Sequence, residues 1–291
     1  HDGRMTSTWI VGVDGSDNAR HAAEWAIDQA VGRDVRIVVL ATWTLPIVPM
    51  GAMSSMAVLP DWSDLESELR RSTEALATKL SRDGVEVEAR IAQGSAADVL
   101  IEASREADLL VVGARGLGRV TGLVLGSVSQ RCVSHSVAPV AVIAMEAPLG
   151  PARRILVGYD ASANARTAAQ WALGFAQPDA AITILDALGI APWLAPDLVR
   201  ERFPVEVEAT EAEFRTHMGE LDPDNRADHS FVIADARVAL VDASTRADLV
   251  VLGARGRGRL AAMLLGSTTT WMLQSATRAT VVVPLPERAS D

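Results

Sequence analysis

Short runs of apolar residues recur along this chain in a fixed order, and the whole order occurs twice. Residues 9–16, WIVGVDGS, and residues 155–162, ILVGYDAS, each end an apolar run in a carboxylate. An alanine-rich stretch with one tryptophan follows each run, ARHAAEWAIDQA in the first half and ARTAAQWALGFA in the second. Such runs are typical of buried strands, and such alanine-rich stretches are typical of helices. The pattern predicts a strand and then a helix at the start of each half, with Trp25 and Trp171 in the core.

The rest of each half continues the alternation. Further strands are predicted at residues 35–43, 85–92, 107–112 and 138–144, and at 181–188, 229–234, 247–252 and 279–285. Further helices are predicted at residues 63–81, 96–105 and from 127, and at 205–220, 236–246 and from 267. Strands separated by helices favour a parallel sheet covered on both faces. Each half is therefore predicted to be an α/β domain with five strands and four helices.

Proline and glycine mark the connections between these elements. Residues 146–154, EAPLGPARR, are predicted to link a first domain at residues 5–145 to a second domain at residues 155–286. The Pro-containing stretches at residues 44–61 and 189–203 are predicted to be loops. The first of them carries three methionines and is expected to be a lid, a dimer contact or plain surface.

A glycine-containing stretch follows the fourth predicted strand of each half. Residues 113–127 are GARGLGRVTGLVLGS and residues 253–267 are GARGRGRLAAMLLGS, with glycines three apart and a Gly-Ser pair after nine further residues. Glycine lets backbone N–H groups approach an anion without a Cβ in the way. Ser127 then opens a helix, and the first amides of a helix have no partner within it. The duplicated spacing predicts a cradle for a phosphate chain in each half.

Composition and charge narrow the class of protein. A chain of 291 residues with 49% hydrophobic content can bury a large core, and its net charge of −10 argues against a nucleic-acid binder. No apolar run approaches the roughly 20 residues that span a bilayer, so no membrane span is predicted. The single cysteine, Cys132, fits a reducing cytoplasm. Lys79 is the only lysine and lies outside any GxxxxGK[ST] sequence, which excludes a P-loop NTPase.

These motifs resemble those of the universal stress proteins, over residues 8–285. The ATP-binding members of that family carry GxxG, nine residues and then G[ST]. The matching residues are Gly113, Gly116, Gly126 and Ser127 in the first half, and Gly253, Gly256, Gly266 and Ser267 in the second. The resemblance implies two Rossmann-like domains of the adenine nucleotide alpha hydrolase-like type, each a five-stranded parallel sheet of order 3-2-1-4-5 with four helices. It also implies a nucleotide between the first and fourth strands, where the strand order reverses.

The resemblance and the residue chemistry together suggest roles on the adenosine side of the site. Asp14 and Asp160, at the ends of the first strands, are expected to hold the ribose hydroxyls. The backbone around Ala41 and Ala187 is expected to meet the adenine edge.

On the phosphate side, the amides of residues 113–119 and 126–128 are expected to cradle the phosphates, and Ser127 Oγ is expected to donate to one oxygen. Nearby arginines, Arg257 among them, would add positive charge, and charge-assisted hydrogen bonds contribute about 1.5–3 kcal/mol each. The expected nucleotide-binding residues are Gly12, Asp14, Ala41, Gly113, Arg115, Gly116, Gly118, Arg119, Gly126, Ser127 and Val128 in the first half, and Gly158, Asp160, Ala187, Gly253, Arg255, Gly256, Gly258, Arg259, Gly266, Ser267 and Thr268 in the second.

Each assignment has a purely structural alternative. The first glycine of each stretch would end a strand in a positive-φ turn. Ser127 and Gln130 would form an S-x-x-Q capping box. Asp14 would be a turn residue before a helix, and the arginines would be solvated surface residues. Cys132 is expected to be a small buried residue.

The two halves differ near the expected sites. Val13 is replaced by Tyr159, Gly15 by Ala161 and Gly94 by Ala234. None of these changes falls in the glycine motif. We therefore expect two nucleotide sites per chain, the first binding as tightly as the second or more tightly.

The sequence favours a nucleotide-binding regulator over an enzyme, because it contains no Ser-His-Asp arrangement, metal cluster or paired-carboxylate site. The expected ligand is ATP, with or without Mg²⁺, and the resemblance implies a role in stress response or dormancy. Alternatives from other classes are a cyclic-AMP or AMP binder, a slow ATPase that uses Mg²⁺ and arginines, an adenylating enzyme, and a structural protein that binds nothing.

The expected partners follow from the exposed edges of the two sheets. Residues 140–144 and 281–285, the last strands of the two halves, are predicted to pair and form a pseudo-dimer within the chain, since their edges would otherwise be exposed. A homodimer of chains and an unknown protein partner are further expectations. No nucleic-acid partner is expected.

Overall fold

The computed structural model describes residues 6–44, 62–82, 84–116, 125–191, 193–256, 265–275 and 277–285. It has the predicted α/β architecture, in which strands and helices alternate along each half. The strands are β1 (Ser7–Val13), β2 (Val35–Trp43), β3 (Glu86–Gln93), β4 (Leu109–Gly113), β5 (Val140–Ile143), β6 (Arg154–Tyr159), β7 (Ala181–Leu188), β8 (Asp228–Ile233), β9 (Leu249–Gly253) and β10 (Ala279–Val283).

The helices lie between the strands in both halves. They are α1 (Asp17–Ala30), α2 (Trp62–Leu80), α3 (Ala96–Ala103), α4 (Ser127–His135), α5 (Ala163–Phe175), α6 (Pro196–Arg202), α7 (Pro204–Leu221), α8 (Ala236–Ser244) and α9 (Ser267–Ser275). Ser16 and Ser162 cap α1 and α5, because each side chain accepts a hydrogen bond from the amide three residues later.

The ten strands of the described residues belong to one sheet, in the order β3-β2-β1-β4-β5-β10-β9-β6-β7-β8. Pairing is parallel within each half and antiparallel where β5 meets β10, with Ala141 opposite Val281. The predicted pseudo-dimer through the last strands is confirmed. Each half has the order 3-2-1-4-5, so the strand order reverses between β1 and β4 and between β6 and β9.

The core forms on both faces of the sheet because successive strand residues point to opposite sides. Trp9 and Val11 of β1 belong to the cluster that contains α1, whereas Ile10 belongs to the cluster that contains residues of α3 and α4. Trp25 is 1% exposed and Trp171 packs against the same core, so both tryptophans are structural, as predicted.

Cys132 is buried in α4, and its burial raises the pKa of the thiol to about 12 despite the nearby charge of Arg131. The thiol is therefore protonated at neutral pH. This agrees with its expected role as a small core residue.

The two halves also contact each other through aromatic rings. The ring of Phe175 from α5 stacks on Trp9 of β1, with centroids 6.0 Å apart. The guanidinium carbon of Arg33 lies 4.5 Å from the centroid of the same ring. Phe175 therefore ties the first helix of the second half to the first strand of the first half.

Polar side chains of α1 hold the connection between the halves in place. Gln29 Nε2 donates to Gly150 O at 2.7 Å, and Gln29 Oε1 accepts from Ala152 N at 3.0 Å. Asp28 Oδ2 accepts from Gly150 N at 2.7 Å. These hydrogen bonds hold the connection against α1 of the first half.

Some predicted element boundaries are wrong. Residues 189–203 were expected to be a loop but contain α6, which begins at Pro196, where proline is tolerated because the first amides need no helical partner. The helix expected at residues 96–105 ends at Ala103 and continues as the 3₁₀ turn Ser104–Glu106. Nearly all of the expected loop at residues 44–61 lies outside the described residues. Among the described helices, none is both long and apolar enough to cross a membrane.

Candidate functional site

Two cavities lie at the carboxyl ends of the strands, one at each reversal of strand order. The first has a volume of about 230 Å³ and opens between β1 and β4. The second has a volume of about 420 Å³ and opens between β6 and β9. Ligands of open parallel sheets bind at this position, because the connections on either side diverge and leave a crevice.

Most of the predicted site residues line these cavities. In the first half they are Gly12, Asp14, Gly113, Arg115, Gly116, Gly126, Ser127 and Val128. In the second half they are Gly158, Asp160, Gly253, Arg255, Gly256, Gly266, Ser267 and Thr268. Five predicted arginines and glycines, Gly118, Arg119, Arg257, Gly258 and Arg259, lie outside the described residues.

The first glycine of each stretch is required by close approach. A Cβ on Gly113 would lie 3.0 Å from Asn18 Oδ1, and a Cβ on Gly253 would lie 2.7 Å from the Cβ of Asn164. Neither glycine has a positive φ. The alternative that these glycines only end a strand in a positive-φ turn is therefore wrong.

The second glycine of each stretch faces the carboxylate at the end of the first strand. A Cβ on Gly116 would overlap Asp14 Oδ2, and a Cβ on Gly256 would overlap Asp160 Oδ2. The loop backbone and the carboxylate can approach this closely only because the side chain is missing.

The two carboxylates also support the turn that follows each first strand. Asp14 Oδ1 accepts from Ser16 N at 3.0 Å, and Asp160 Oδ1 accepts from Ser162 N at 3.1 Å. The turn interpretation of Asp14 is thus correct for one oxygen. Because the other oxygen faces the cavity glycine, the turn role and a ligand role are compatible.

The third glycine of the motif immediately precedes the next helix. Gly126 is the N-cap of α4, its carbonyl accepts from Gln130 N at 2.9 Å, and Ser127 is the first helical residue. The expected capping box with Ser127 as the cap is therefore wrong, since the cap has no side chain. The exposed hydroxyl of Ser127 remains available to a ligand next to the first amides of the helix.

Three residues that hold the glycine stretch were not predicted. Asn18 Oδ1 accepts from Arg115 N at 2.8 Å, and Asn18 Nδ2 donates to Ile143 O at 3.0 Å. Ser129 Oγ donates to Gly113 O at 2.6 Å, and Thr269 Oγ1 donates to Gly253 O at 2.8 Å. The signal was present in the sequence, because Asn18 recurs as Asn164 and a hydroxyl follows each Gly-Ser pair after one further residue.

Gly12 and Gly158 line the cavities, but packing explains why they are glycines. A Cβ on Gly12 would lie 2.8 Å from Leu100 Cδ1 of α3. A Cβ on Gly158 would lie 2.5 Å from Leu252 Cδ2 and 3.3 Å from Leu240 of α8. These glycines let a helix lie close to the first strand beneath the cavity.

The two residues expected at the adenine edge are not among the cavity-lining residues. Ala41 and Ala187 do not line the cavities, whereas Leu40 and Thr42, the neighbours of Ala41, line the first one. Adjacent strand residues point to opposite faces, so only alternate side chains of β2 reach the cavity. Strand pairing also shows that Ala187 corresponds to Thr42, because Leu40 pairs with Gly12 and Leu185 pairs with Gly158.

The differences between the halves change the site only slightly. Gly15 has φ of 84°, and Ala161 keeps the same left-handed conformation with φ of 59°. Tyr159, which replaces Val13, is 4% exposed and packs in the core. Gly94 donates to Trp43 O, and Ala234 makes the equivalent bond to Leu188 O.

Metal-binding groups are not concentrated at either cavity. Within the described ranges, no group of three or more His, Cys, Asp or Glu side chains is placed to hold a metal ion.

Comparison with known proteins gives consistent matches along the whole chain. The profile of the Universal stress protein family matches residues 5–144 and again residues 151–284. A universal stress protein of Mycolicibacterium smegmatis is 29% identical over 288 residues, covering 94% of this chain and 96% of that protein.

The fold of this chain also resembles the folds of solved structures. A universal stress protein from Archaeoglobus fulgidus aligns with 96% of this chain and 97% of its own, with a TM-score of 0.66 and 21% identity. A universal stress protein in complex with cAMP aligns with 47% of this chain and 96% of its own, with a TM-score of 0.35 and 28% identity. The first of these likenesses supports the tandem fold.

Proposed function

The chain belongs to the universal stress protein family, and we propose that it binds one adenine nucleotide, ATP, in each half and acts as a nucleotide-dependent regulator of a stress response. One observation carries this proposal. At both reversals of strand order, the cavity is lined by the same combination of motif glycines, a strand-end carboxylate and the amino end of a helix.

The phosphate chain is assigned to the glycine side of each cavity. Gly126, Ser127 and Val128 line the first cavity at the amino end of α4, where helix amides without helical partners and the helix dipole favour an anion. Gly113 and Gly116 also line the cavity on this side, where they contribute no side chain. Arg115 lines the cavity and adds positive charge.

The adenosine is assigned to the opposite side of the first cavity. The carboxylate of Asp14 is an acceptor that suits ribose hydroxyls. Leu40 and Leu100 offer an apolar surface for the base, and Thr42 offers a hydroxyl. The second cavity has Asp160, Leu240 and Leu252 in the corresponding lining, without a residue equivalent to Thr42.

ATP is favoured over AMP or cyclic AMP because two anion-binding elements, the glycine loop and the helix terminus, lie beyond the carboxylate. A single phosphate would use only part of this surface. An accompanying Mg²⁺ would be held mainly by phosphate oxygens and water, which is how Mg²⁺ is commonly bound at nucleotides. We assign a binding role, with occupancy of the cavities ordering a surface that a partner or a second chain recognises.

Calorimetric titration with ATP tests this function. We expect two nucleotides per chain, with the first half binding at least as tightly as the second. Gly126→Glu and Gly266→Glu each place a carboxylate at a helix terminus, so each should remove one nucleotide and leave the other site intact. The finding that neither substitution changes the stoichiometry would contradict the assignment of these sites.

Thermal stability separates the alternative ligands. A nucleotide present at about 100 times its Kd stabilises the protein by about 2.7 kcal/mol, so the ligand with the largest shift in Tm identifies the class. ATP is expected to exceed ADP, AMP and cyclic AMP, and a larger shift with cyclic AMP would favour the cyclic-nucleotide binder. An unchanged Tm with all four nucleotides would contradict the proposed nucleotide binding. Release of phosphate from bound ATP would identify a slow ATPase.

A further inference from the structure

A second groove lies on the sheet of the second half, separate from the nucleotide cavity. It has a volume of about 650 Å³ and follows β6, β7 and β8 beside α8. The larger apolar side chains of the groove are those of Leu156, Leu185 and Val232. On the α8 side, the groove is lined by the small side chains of Ala239 and Ala243. A volume of this size is typical of small-molecule sites, which span roughly 300–1,000 Å³.

The strand register identifies which residues of the first half correspond to the groove residues. Gly12, Leu40 and Arg90 lie side by side in the first half, as Gly158, Leu185 and Ser230 do in the second. By the same register, Arg36 corresponds to Ala181 and Glu88 to Asp228. Two arginines of the first half are therefore replaced by small residues in the groove, whereas the carboxylate is kept.

In the first half, the two arginines converge on that carboxylate. Arg36 Nη1 lies 3.9 Å from Glu88 Oε2, and Arg90 Nη2 lies 3.5 Å from Glu88 Oε1. Arg36 also donates to Thr8 Oγ1 at 3.5 Å. Long cationic side chains commonly pack their aliphatic parts on neighbouring apolar surface.

In the second half, the corresponding carboxylate, Asp228, has no counterpart of Arg36 or Arg90 beside it. The side chain of Asp228 forms no hydrogen bond or ion pair with any other described residue. The two arginines at the groove are already engaged, Arg154 with Asp248 at 2.8 Å and Arg246 with Asp242 at 3.3 Å. The unmatched charge at the groove is therefore negative and lies on Asp228.

We propose that this groove binds a ligand with a guanidinium group on an aliphatic chain, placed as Arg36 and Arg90 are placed in the first half. The guanidinium pairs with the carboxylate of Asp228, and the chain packs on the apolar floor near Leu185. A free arginine derivative and an arginine side chain of a peptide share this chemistry. The site is independent of the proposed nucleotide cavities.

The test is a titration of the full chain with N-acetylarginine amide and with N-acetylcitrulline amide, which has the same length without the charge. We expect the arginine compound to bind about tenfold more tightly or better, since hydrogen bonds to charged groups are the stronger ones. Asp228→Asn should reduce the affinity by a similar factor, because it keeps the size and removes the charge. Glu88→Gln, the matched control in the first half, should leave the affinity unchanged.

Ser230→Arg tests the location, because it restores the first-half residue and fills the groove. It should abolish arginine binding while ATP titration and circular dichroism stay as in the parent protein. Equal binding of the arginine and citrulline compounds, or full binding by the Ser230→Arg protein, would overturn the proposal. The tripeptide Ala-Arg-Ala distinguishes the two sources: tighter binding than the free amide supports a polypeptide ligand, and equal or weaker binding supports a small molecule.

Discussion

Asp14 and Gly116 are in contact at the edge of the first cavity. One carboxylate oxygen of Asp14 occupies the space where a side chain on Gly116 would begin. Asp160 and Gly256 have the same relationship in the second half. The carboxylate and the loop backbone are thus positioned by one contact. The contact explains why a glycine is needed at this position of the motif, and substitution of Gly116 tests that explanation.

Gly116→Ala should displace either the loop or Asp14, and we expect it to weaken nucleotide binding in the first half by at least about tenfold, which corresponds to 1.4 kcal/mol. Calorimetric stoichiometry should fall from two nucleotides per chain toward one. Gly174→Ala is the matched control, since a Cβ there meets nothing within 4 Å. Unchanged nucleotide binding by the Gly116→Ala protein would show that the contact between Asp14 and Gly116 does not contribute to binding.

Ala161 adopts φ of 59°, a left-handed conformation that disfavours residues with a Cβ. Ala161→Gly should therefore stabilise the protein by about 0.5–1 kcal/mol, after allowing for the greater freedom of glycine in the unfolded chain. Gly15→Ala should destabilise it by a similar amount, because Gly15 has φ of 84°. Urea unfolding midpoints measure both changes, and a loss of stability in the Ala161→Gly protein would contradict them.

Ser129 Oγ donates to the carbonyl of Gly113 from a side chain position that is buried. Ser129→Ala leaves that carbonyl without its partner and should cost about 1–3 kcal/mol of unfolding free energy. Ser129→Thr should retain most of the stability, because Thr269 makes the same bond in the second half. If alanine and threonine have equal effects in a denaturant titration, the hydrogen bond is not the stabilising feature.

Phe175 packs between the halves, and its removal should loosen their association. Phe175→Ala should destabilise the chain by about 3–5 kcal/mol, the usual cost of removing a buried aromatic side chain. Phe203→Ala is the control, because Phe203 is 49% exposed and its removal should change stability little. Calorimetric melting would detect the difference, and a separate melting transition for each half would show that the interface has been lost.

Ionisation of Asp222 makes the stability of the second half depend on pH. Burial alone would raise the pKa of Asp222, but hydrogen bonds from the amides of Ala227 and Arg226 and from His229 outweigh burial and lower it. The carboxylate therefore contributes stability above its unfolded pKa of about 3.9, and this contribution is lost as pH falls through the lower folded pKa. Asp222→Asn should reduce stability at pH 7 and flatten its dependence below about pH 4, as measured by unfolding at several pH values.

Much of the fold followed from local pattern. The apolar runs predicted the strands, and the alanine-rich stretch around Trp25 predicted α1, because burial of one face leaves its period in the sequence. The position of α6 was missed because Pro196 was taken as a loop signal, although proline is also favoured at the start of a helix. The capping box failed for a similar reason, since Gly126 and not Ser127 precedes the first helical turn.

The candidate site was predicted in part. The motif glycines and Asp14 were found because their spacing is repeated in both halves, and the cavities bring them together. Thr42 was missed because the face of β2 that reaches the cavity depends on the register between strands. Asn18 was missed because its partner Arg115 lies 97 residues away in the chain.

The sequence by itself determined the duplicated strand and helix order, the glycine spacing and the carboxylate at the end of each first strand, since these features depend on neighbouring residues. Only the tertiary structure decided which residues meet: Asp14 with Gly116, Phe175 with Trp9, and Glu88 with two arginines that have no counterpart beside Asp228. The physical reason is that strand register and sheet order place distant residues side by side. Periodicity within one segment carries no information about that placement.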